Sequence, residues 1–213
     1  MFKSIVNFKV YREGIHGNGE KLVRDLSSIR RENYDLIMAV SSPQLHLSSK
    51  YKGIIAQHVD PYESGAHTGA IIIEELLNMG VNGSLLNHSE RKVPGNHITQ
   101  CIEEAEEKGF TLYICSESLE ETRFLCESGA KYIAYEPPEL IGGNISVSAA
   151  KPEIVRESAE LCKSYNSVLL VGAGVKKGED VIACKNLGAQ GILVSSGVVK
   201  SERPVDALNS LMI

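Results

Sequence analysis

The chain has 213 residues, of which 43% are hydrophobic and 23% charged, and its formal net charge is −5. This composition is typical of a globular domain, and an acidic chain without a basic run argues against a nucleic-acid partner. No apolar run reaches membrane-spanning length, and the N-terminus enters a strand pattern without a signal peptide. The five cysteines are scattered and form no Cys-x-x-Cys pair, which favours a reducing, cytoplasmic environment.

Short apolar runs alternate with longer amphipathic runs along the whole chain. The predicted strands cover residues 4–8, 36–40, 53–57, 83–86, 111–115, 132–135, 167–171 and 191–194. Predicted helices lie near residues 19–32, 43–48, 70–79, 98–108, 119–128, 151–165, 178–187 and 205–211. Strict alternation favours a parallel sheet, and eight such units predict an α/β fold with a single (β/α)8 TIM barrel. No linker interrupts the pattern, so we expect one domain over residues 1–213.

Polar residues follow several predicted strands, at the edge where such barrels hold their active sites. Asn7 and Lys9 follow the first strand, His88 follows the fourth, and Glu136 follows the sixth. A histidine can donate a hydrogen bond to a carbonyl oxygen, and a glutamate can take a proton from the neighbouring carbon. The turns after strands seven and eight are the usual phosphate site of the fold. The pattern therefore predicts proton abstraction beside a carbonyl in a small phosphorylated substrate.

Residues 134–144 read Ala-Tyr-Glu-Pro-Pro-Glu-Leu-Ile-Gly-Gly-Asn. Pro137 and Pro138 stiffen one end of this segment, while Gly142 and Gly143 free the other. A hinged segment behind a strand-end carboxylate suits a general base covered by a lid. The alternative is an ordinary surface loop with a solvated acid.

Taken together, these segments resemble the triosephosphate isomerase family over the whole chain. The matching segments are Asn7-Phe8-Lys9, Gln57 with Ser64-Gly65-Ala66-His67-Thr68-Gly69, residues 87–91, residues 134–143 and residues 193–197. The lid sequence and the Gly-Ala-Gly turn at residues 172–174 are similar to the short archaeal form. Three places depart from the usual family pattern. Asn87 replaces a glycine, the strand 7 turn reads Gly172-Ala173-Gly174 where Gly-Gly-Ser is usual, and the strand 8 turn reads Ser195-Ser196 where Gly-Gly is usual.

The roles implied by this resemblance belong to the family and are not worked out from spacing. Glu136 would carry a proton between C1 and C2, and His88 would be a neutral donor whose pKa a helix N-terminus lowers. Lys9 would stabilise negative charge and Asn7 would orient its neighbours. The implied substrate-binding residues are Asn7, Lys9, Ile141, Gly142, Gly174, Ser195 and Ser196, with Glu90 and Ser89 behind them. The substrate would be a triose phosphate interconverted in glycolysis and gluconeogenesis, with no cofactor and no metal.

The resemblance also implies a homo-oligomer, with a tetramer favoured over a dimer. The loop at residues 59–68 is long, and its Ser-Gly-Ala-His-Thr-Gly end matches the family segment that docks into a neighbouring subunit near strand 1. We expect His16, His46 and His97 on the surface, and Cys115 as a packing residue below the site. Two other functions stay open at this point: another phosphate-binding barrel isomerase, and a catalytically inactive barrel that binds or assembles.

Overall fold

The structure, a computed structural model, describes residues 1–137 and 147–213. Within these ranges eight strands form one parallel sheet. They are β1 (Phe2–Asn7), β2 (Tyr34–Ala39), β3 (Ile54–Ile55), β4 (Gly83–Leu86), β5 (Thr111–Ser116), β6 (Tyr132–Tyr135), β7 (Val168–Val171) and β8 (Gly191–Val194). The strand order is β3-β2-β1-β8-β7-β6-β5-β4.

A single bridge joins the two ends of this sheet. Ala56 pairs in parallel with Ser84, just beyond β3 and within β4. The Ala56 N–H donates to the Gly83 carbonyl at 3.0 Å, and the Leu85 N–H donates to the Ala56 carbonyl at 2.9 Å. The sheet is thereby closed into the predicted (β/α)8 barrel, which brings the carboxyl ends of all its strands to one rim.

Helices follow the strands and cover the outside of the barrel. They are α1 (His16–Leu26), α2 (Ile73–Asn78), α3 (Gly95–Lys108), α4 (Leu119–Glu127), α5 (Val147–Ala150), α6 (Pro152–Ser164), α7 (Gly178–Asn186), α8 (Ser196–Val199) and α9 (Pro204–Asn209). Two 3-10 helices, Arg12–Gly14 and Ser42–Ser49, lie in the loops after β1 and β2. Among the described residues, no helix is both long and apolar enough to cross a membrane.

The core has two layers, as a barrel requires. Side chains inside the barrel form one buried cluster, which includes Ile5, Ile37, Leu85, Leu170 and Leu193. A larger cluster fills the space between the strands and the helices. Most strand residues are buried on both faces, which explains why the strands read as continuous apolar runs in the sequence.

Several predicted boundaries were wrong. The first helix spans His16–Leu26 rather than residues 19–32, because Ser27 ends it and Ser28 Oγ donates to the Asp25 carbonyl at 2.6 Å. The third strand has two residues instead of five, with Gly53 in a left-handed conformation (φ 77°) before it. The segment at 43–48 is a 3-10 helix, and the short helices α5 and α8 were not predicted.

Candidate active site

A cavity of about 270 Å³ lies at the carboxyl ends of the strands. The loops after β1, β4, β6, β7 and β8 contribute its walls. Its lining residues are Asn7, Lys9, Tyr11, His88, Glu90, Glu136, Ala173, Gly174, Val175, Lys176, Leu193, Val194, Ser195, Ser196 and Gly197. The fold therefore collects in one place the predicted candidates Asn7, Lys9, His88, Glu90, Glu136, Gly174, Ser195 and Ser196.

Glu136 directly follows β6 and is only 7% exposed. Its backbone N–H donates to the Ser116 carbonyl at 2.8 Å, which fixes the residue against β5. Burial raises the pKa of Glu136 to about 7, and the Cys115 thiol and Lys9 partly oppose this shift. Within the described part of the chain, Glu136 Oε2 is buried and has no hydrogen-bond partner. A buried oxygen of this kind is costly, and it fits a group that acts on a bound molecule.

His88 faces Glu136 across the cavity, with Nε2 3.7 Å from Glu136 Oε2. The Glu90 backbone N–H donates to His88 Nδ1 at 3.1 Å, so a neutral ring carries its hydrogen on Nε2. Burial lowers the pKa of His88, and the nearby Lys9 lowers it further. The pKa shift has the direction that the family implies, but burial and a neighbouring cation cause it here. The neutral imidazole can therefore donate a hydrogen bond into the cavity.

Lys9 extends from the loop after β1 and forms an ion pair with Glu90, whose Oε1 lies 2.7 Å from Lys9 Nζ. The Lys9 backbone has φ 48°, a left-handed conformation that is uncommon outside glycine. Asn7 supports it, because Asn7 Oδ1 accepts the Lys9 N–H at 3.0 Å. Gln57 Nε2 also donates to the Lys9 carbonyl at 3.1 Å. These contacts hold the ammonium group at the cavity in a fixed position.

Another wall of the cavity is built from the turns after β7 and β8, which lie between the loop after β1 and Glu136. Ala173 and Gly174 are both left-handed, with φ 65° and 73°. Ser196 and Gly197 lie in the first turn of α8, where backbone N–H groups lack intrahelical partners. Ser195 Oγ donates to the Asn7 carbonyl at 2.7 Å, so this hydroxyl binds the protein's own backbone. The wall suits an anion held by backbone N–H groups, and serine in place of glycine does not obstruct it.

Asn87 has a role that the motif alone does not reveal. Its backbone is left-handed with φ 58°, which explains why the family usually has glycine there. Its side chain donates to the Cys115 carbonyl at 2.9 Å and to Glu121 Oε1 at 2.8 Å, and accepts the Val93 N–H at 3.2 Å. Asn87 thus connects the loop after β4 to β5 and α4, directly behind His88.

Other candidates lie elsewhere or outside the described residues. Ser89 is half-buried and does not line the cavity. Ile141 and Gly142, together with most of the predicted lid, lie outside the described residues. Cys115 packs inside the barrel as expected and also hydrogen-bonds Glu136, and burial raises the pKa of its thiol well above the ordinary value. Tyr11 and Lys176 line the cavity but were not predicted, because nothing in their local sequence marks them.

Comparisons with known proteins agree with this geometry. The family model described as triosephosphate isomerase matches residues 3–211. The triosephosphate isomerase of Thermoplasma volcanium is 46% identical, with all of both chains covered. Those of Methanobrevibacter smithii and Methanothermus fervidus are 36% and 35% identical, over 98% of this chain and 96% of theirs. On this evidence the chain belongs to the triosephosphate isomerase family of enzymes.

Proposed function

We propose that the chain interconverts dihydroxyacetone phosphate and D-glyceraldehyde 3-phosphate through an enediolate, as a step of glycolysis and gluconeogenesis. The reaction moves one proton between adjacent carbons, and it needs a base, a donor to the carbonyl oxygen and a phosphate site. The cavity contains a candidate for each of these parts. No cofactor is needed, because the reaction transfers no electrons to another molecule.

The base in this proposal is Glu136. Its ionised carboxylate takes the proton from C1 of the ketone, while His88 Nε2–H donates to the carbonyl oxygen at C2. Base and donor must lie a few ångströms apart to act on adjacent atoms, and the 3.7 Å between Nε2 and Oε2 meets this need. His88 gives its Nε2 proton to the oxygen at C2 and takes the hydroxyl proton from the oxygen at C1. The protonated Glu136 then returns its proton to C2, which yields the aldehyde and restores both residues.

Lys9 balances the negative charge of the enediolate and of the phosphate. The chain as a whole is acidic, so the anion must be attracted by local groups. Lys9 supplies a fixed positive charge, and the neighbouring turns after β7 and β8 supply backbone N–H groups. Asn7 and Gln57 act as positioning residues through the Lys9 backbone.

The single observation that carries this proposal is the carboxylate of Glu136. Glu136 Oε2 is buried and has no partner among residues 1–137 and 147–213, and its cavity also holds a neutral histidine and a lysine. Such an oxygen is expected of a base whose partner is the substrate. The Pro-Pro and Gly-Gly pairs of residues 137–143 support a lid that closes over this base and excludes water.

A coupled assay for glyceraldehyde 3-phosphate isomerisation tests the proposal. The purified chain should turn over substrate, and Glu136→Gln should lower kcat by ~10²- to 10⁴-fold, the usual contribution of a general base. Lack of activity in the unmodified chain would favour a barrel that only binds or assembles. Activity only on a different phosphorylated substrate would favour another barrel isomerase.

We also propose that the chain is a homo-oligomer, with a tetramer favoured over a dimer. Two exposed features of one copy support this proposal. Residues 61–69 project from the barrel, with Tyr62 and His67 stacked at 4.2 Å. An apolar groove of about 390 Å³ lies beside Lys9, between the loop after β1 and the 3-10 helix Ser42–Ser49. Its rim includes Val10, which is 73% exposed in the single chain.

A second copy would place its projecting loop in this groove. The contact would cover Val10 and support the left-handed backbone of Lys9 next to it. Phe124, an exposed aromatic on α4, supports a further contact between dimers.

A cytoplasmic location is proposed as well, since all five cysteines are buried and form no disulfide.

A further inference from the structure

Three potential metal ligands lie close together near the start of the loop that follows β3, away from the cavity described above. They are His58, Asp60 and His97, and one ligand atom from each lies within 4.8 Å of the others. Spacing along the chain does not reveal this cluster, because His97 lies at the start of α3 and is distant in sequence. His97 was expected on the surface, but it is half-buried and its Nε2 lies 3.1 Å from the Val59 carbonyl.

We propose that His58, Asp60 and His97 bind one zinc ion, which attaches the base of the loop to α3. Two imidazoles and one carboxylate are a common three-residue ligand set for zinc, whose fourth position holds water. Magnesium and calcium prefer several oxygen ligands, and the cluster offers only one carboxylate. The proposal concerns loop structure and is independent of the catalytic proposal.

The geometry is close to what zinc requires. His58 Nε2 and Asp60 Oδ1 are 3.0 Å apart, while two ligand atoms of a tetrahedral zinc are separated by about 3.4 Å. A metal would replace the hydrogen shared by these two atoms. The ligand atom of His97 lies within 4.8 Å of both and would move closer to complete the set. A separate contact fixes Asp60, because its Oδ2 accepts the Ile71 N–H at 2.9 Å.

Water and metal can reach the cluster from outside. Asp60 lines an open cavity of about 420 Å³ that is also bordered by Tyr62, His67 and Arg91. The positive charge of Arg91 acts on His58 and opposes a bound cation. This repulsion makes a specific prediction possible, since removing the charge of Arg91 should strengthen metal binding.

Zinc titration of the full chain, after treatment with a chelator, tests the proposal. We expect one zinc ion per chain in competition with a chromophoric chelator. Asp60→Asn and His58→Gln should each weaken binding by more than about 100-fold, since even residues behind a metal ligand change affinity by about 10- to 100-fold. Arg91→Gln should tighten binding roughly tenfold. His16→Gln, which removes an exposed histidine, serves as the matched control and should change nothing.

A second readout does not depend on the stability of the variants. Bound zinc should raise the Tm of the unmodified chain, and the chelator should reverse this change. Far-UV circular dichroism checks that each variant is folded. The inference is overturned if the unmodified chain binds no zinc. It is also overturned if folded Asp60→Asn and His58→Gln bind zinc like the unmodified chain, or if His16→Gln weakens binding as much as they do.

Discussion

At the scale of single residues, the site depends on keeping a carboxylate out of water. Glu136 is held at the end of β6, is buried beside Cys115, and faces a neutral histidine. Burial raises its pKa to about 7, which makes it a stronger base when ionised. This placement also lowers the stability of the folded chain, because burial disfavours the ionised form of the carboxylate.

The first prediction measures this loss of stability. The folded chain retains the Glu136 proton up to a pKa of about 7, while the unfolded chain releases it near 4.5. Stability therefore decreases as pH rises from 4.5 to 7 and stays reduced above that range. Glu136→Gln removes the ionisation and should gain up to roughly 3 kcal/mol over the unmodified chain at about pH 8, but little at about pH 4.

Denaturant unfolding of both proteins at equal concentration provides the measurement. The difference between the two proteins should grow with pH. A difference that is the same at both pH values would mean that Glu136 titrates near its ordinary pKa in the folded state.

The second prediction concerns the space beside this carboxylate. A Cβ placed on Gly172 would lie 2.3 Å from Glu136 Oε1. Gly172→Ala must therefore displace the base, and a misplacement of about 1 Å can lower a rate about 100-fold. We expect kcat to decrease by about that factor. A kcat for Gly172→Ala equal to that of the unmodified chain would contradict the proposed contact.

At the scale of elements, the strands were predictable from sequence and several connections were not. Each strand is a short apolar run that becomes buried regardless of which strands lie beside it. The local sequence pattern is therefore sufficient to predict it. The left-handed backbones of Lys9, Asn87 and Ala173 depend on contacts with distant loops, and no local pattern predicts them. The role of Gln57 is likewise not predicted by local sequence, because its side-chain amide follows β3 and donates to the carbonyl of Lys9, which follows β1.

Asn87 provides the prediction at this scale. Asn87→Gly accepts the left-handed backbone but loses three side-chain hydrogen bonds, so we expect a loss of about 1–3 kcal/mol of stability. Asn87→Ala loses the same bonds and adds backbone strain of about 1 kcal/mol or more at φ 58°. In thermal and denaturant unfolding, the unmodified chain should be the most stable, Asn87→Gly less stable and Asn87→Ala the least stable. A glycine variant as stable as the unmodified chain would show that the bonds to β5 and α4 contribute nothing.

At the scale of the whole molecule, closure of the barrel creates the site. The bridge between Ala56 and Ser84 brings β4 next to β3, and the loop after β4 then presents His88 to Glu136. The sequence order of Lys9, His88 and Glu136 was enough to predict that they share a rim, because all strands are parallel. Their distances, and the cluster at His58, follow only from the packing of loops on one another.

The prediction at this scale is that assembly and activity are lost together. Thr68 lies in the projecting loop, which we place in the groove of a second copy. Thr68→Arg would put a charge into that contact, and an unpaired buried charge is unfavourable. Light scattering should show about four times the 23.2 kDa chain mass for the unmodified protein, and a smaller, inactive species for the variant. A fully active species of single-chain mass would contradict the proposed assembly.

The most direct test of the account is hydrogen exchange into product in heavy water. Dihydroxyacetone phosphate is incubated with the unmodified chain in D2O, and NMR follows deuterium at the carbon next to the carbonyl. After Glu136 takes a proton from one carbon, it can exchange that proton for deuterium from the solvent before it protonates the other carbon. Deuterium should therefore appear in the product, and Glu136→Gln should slow its appearance by ~10²- to 10⁴-fold. Deuterium incorporated by Glu136→Gln at the unmodified rate would show that another group moves the proton.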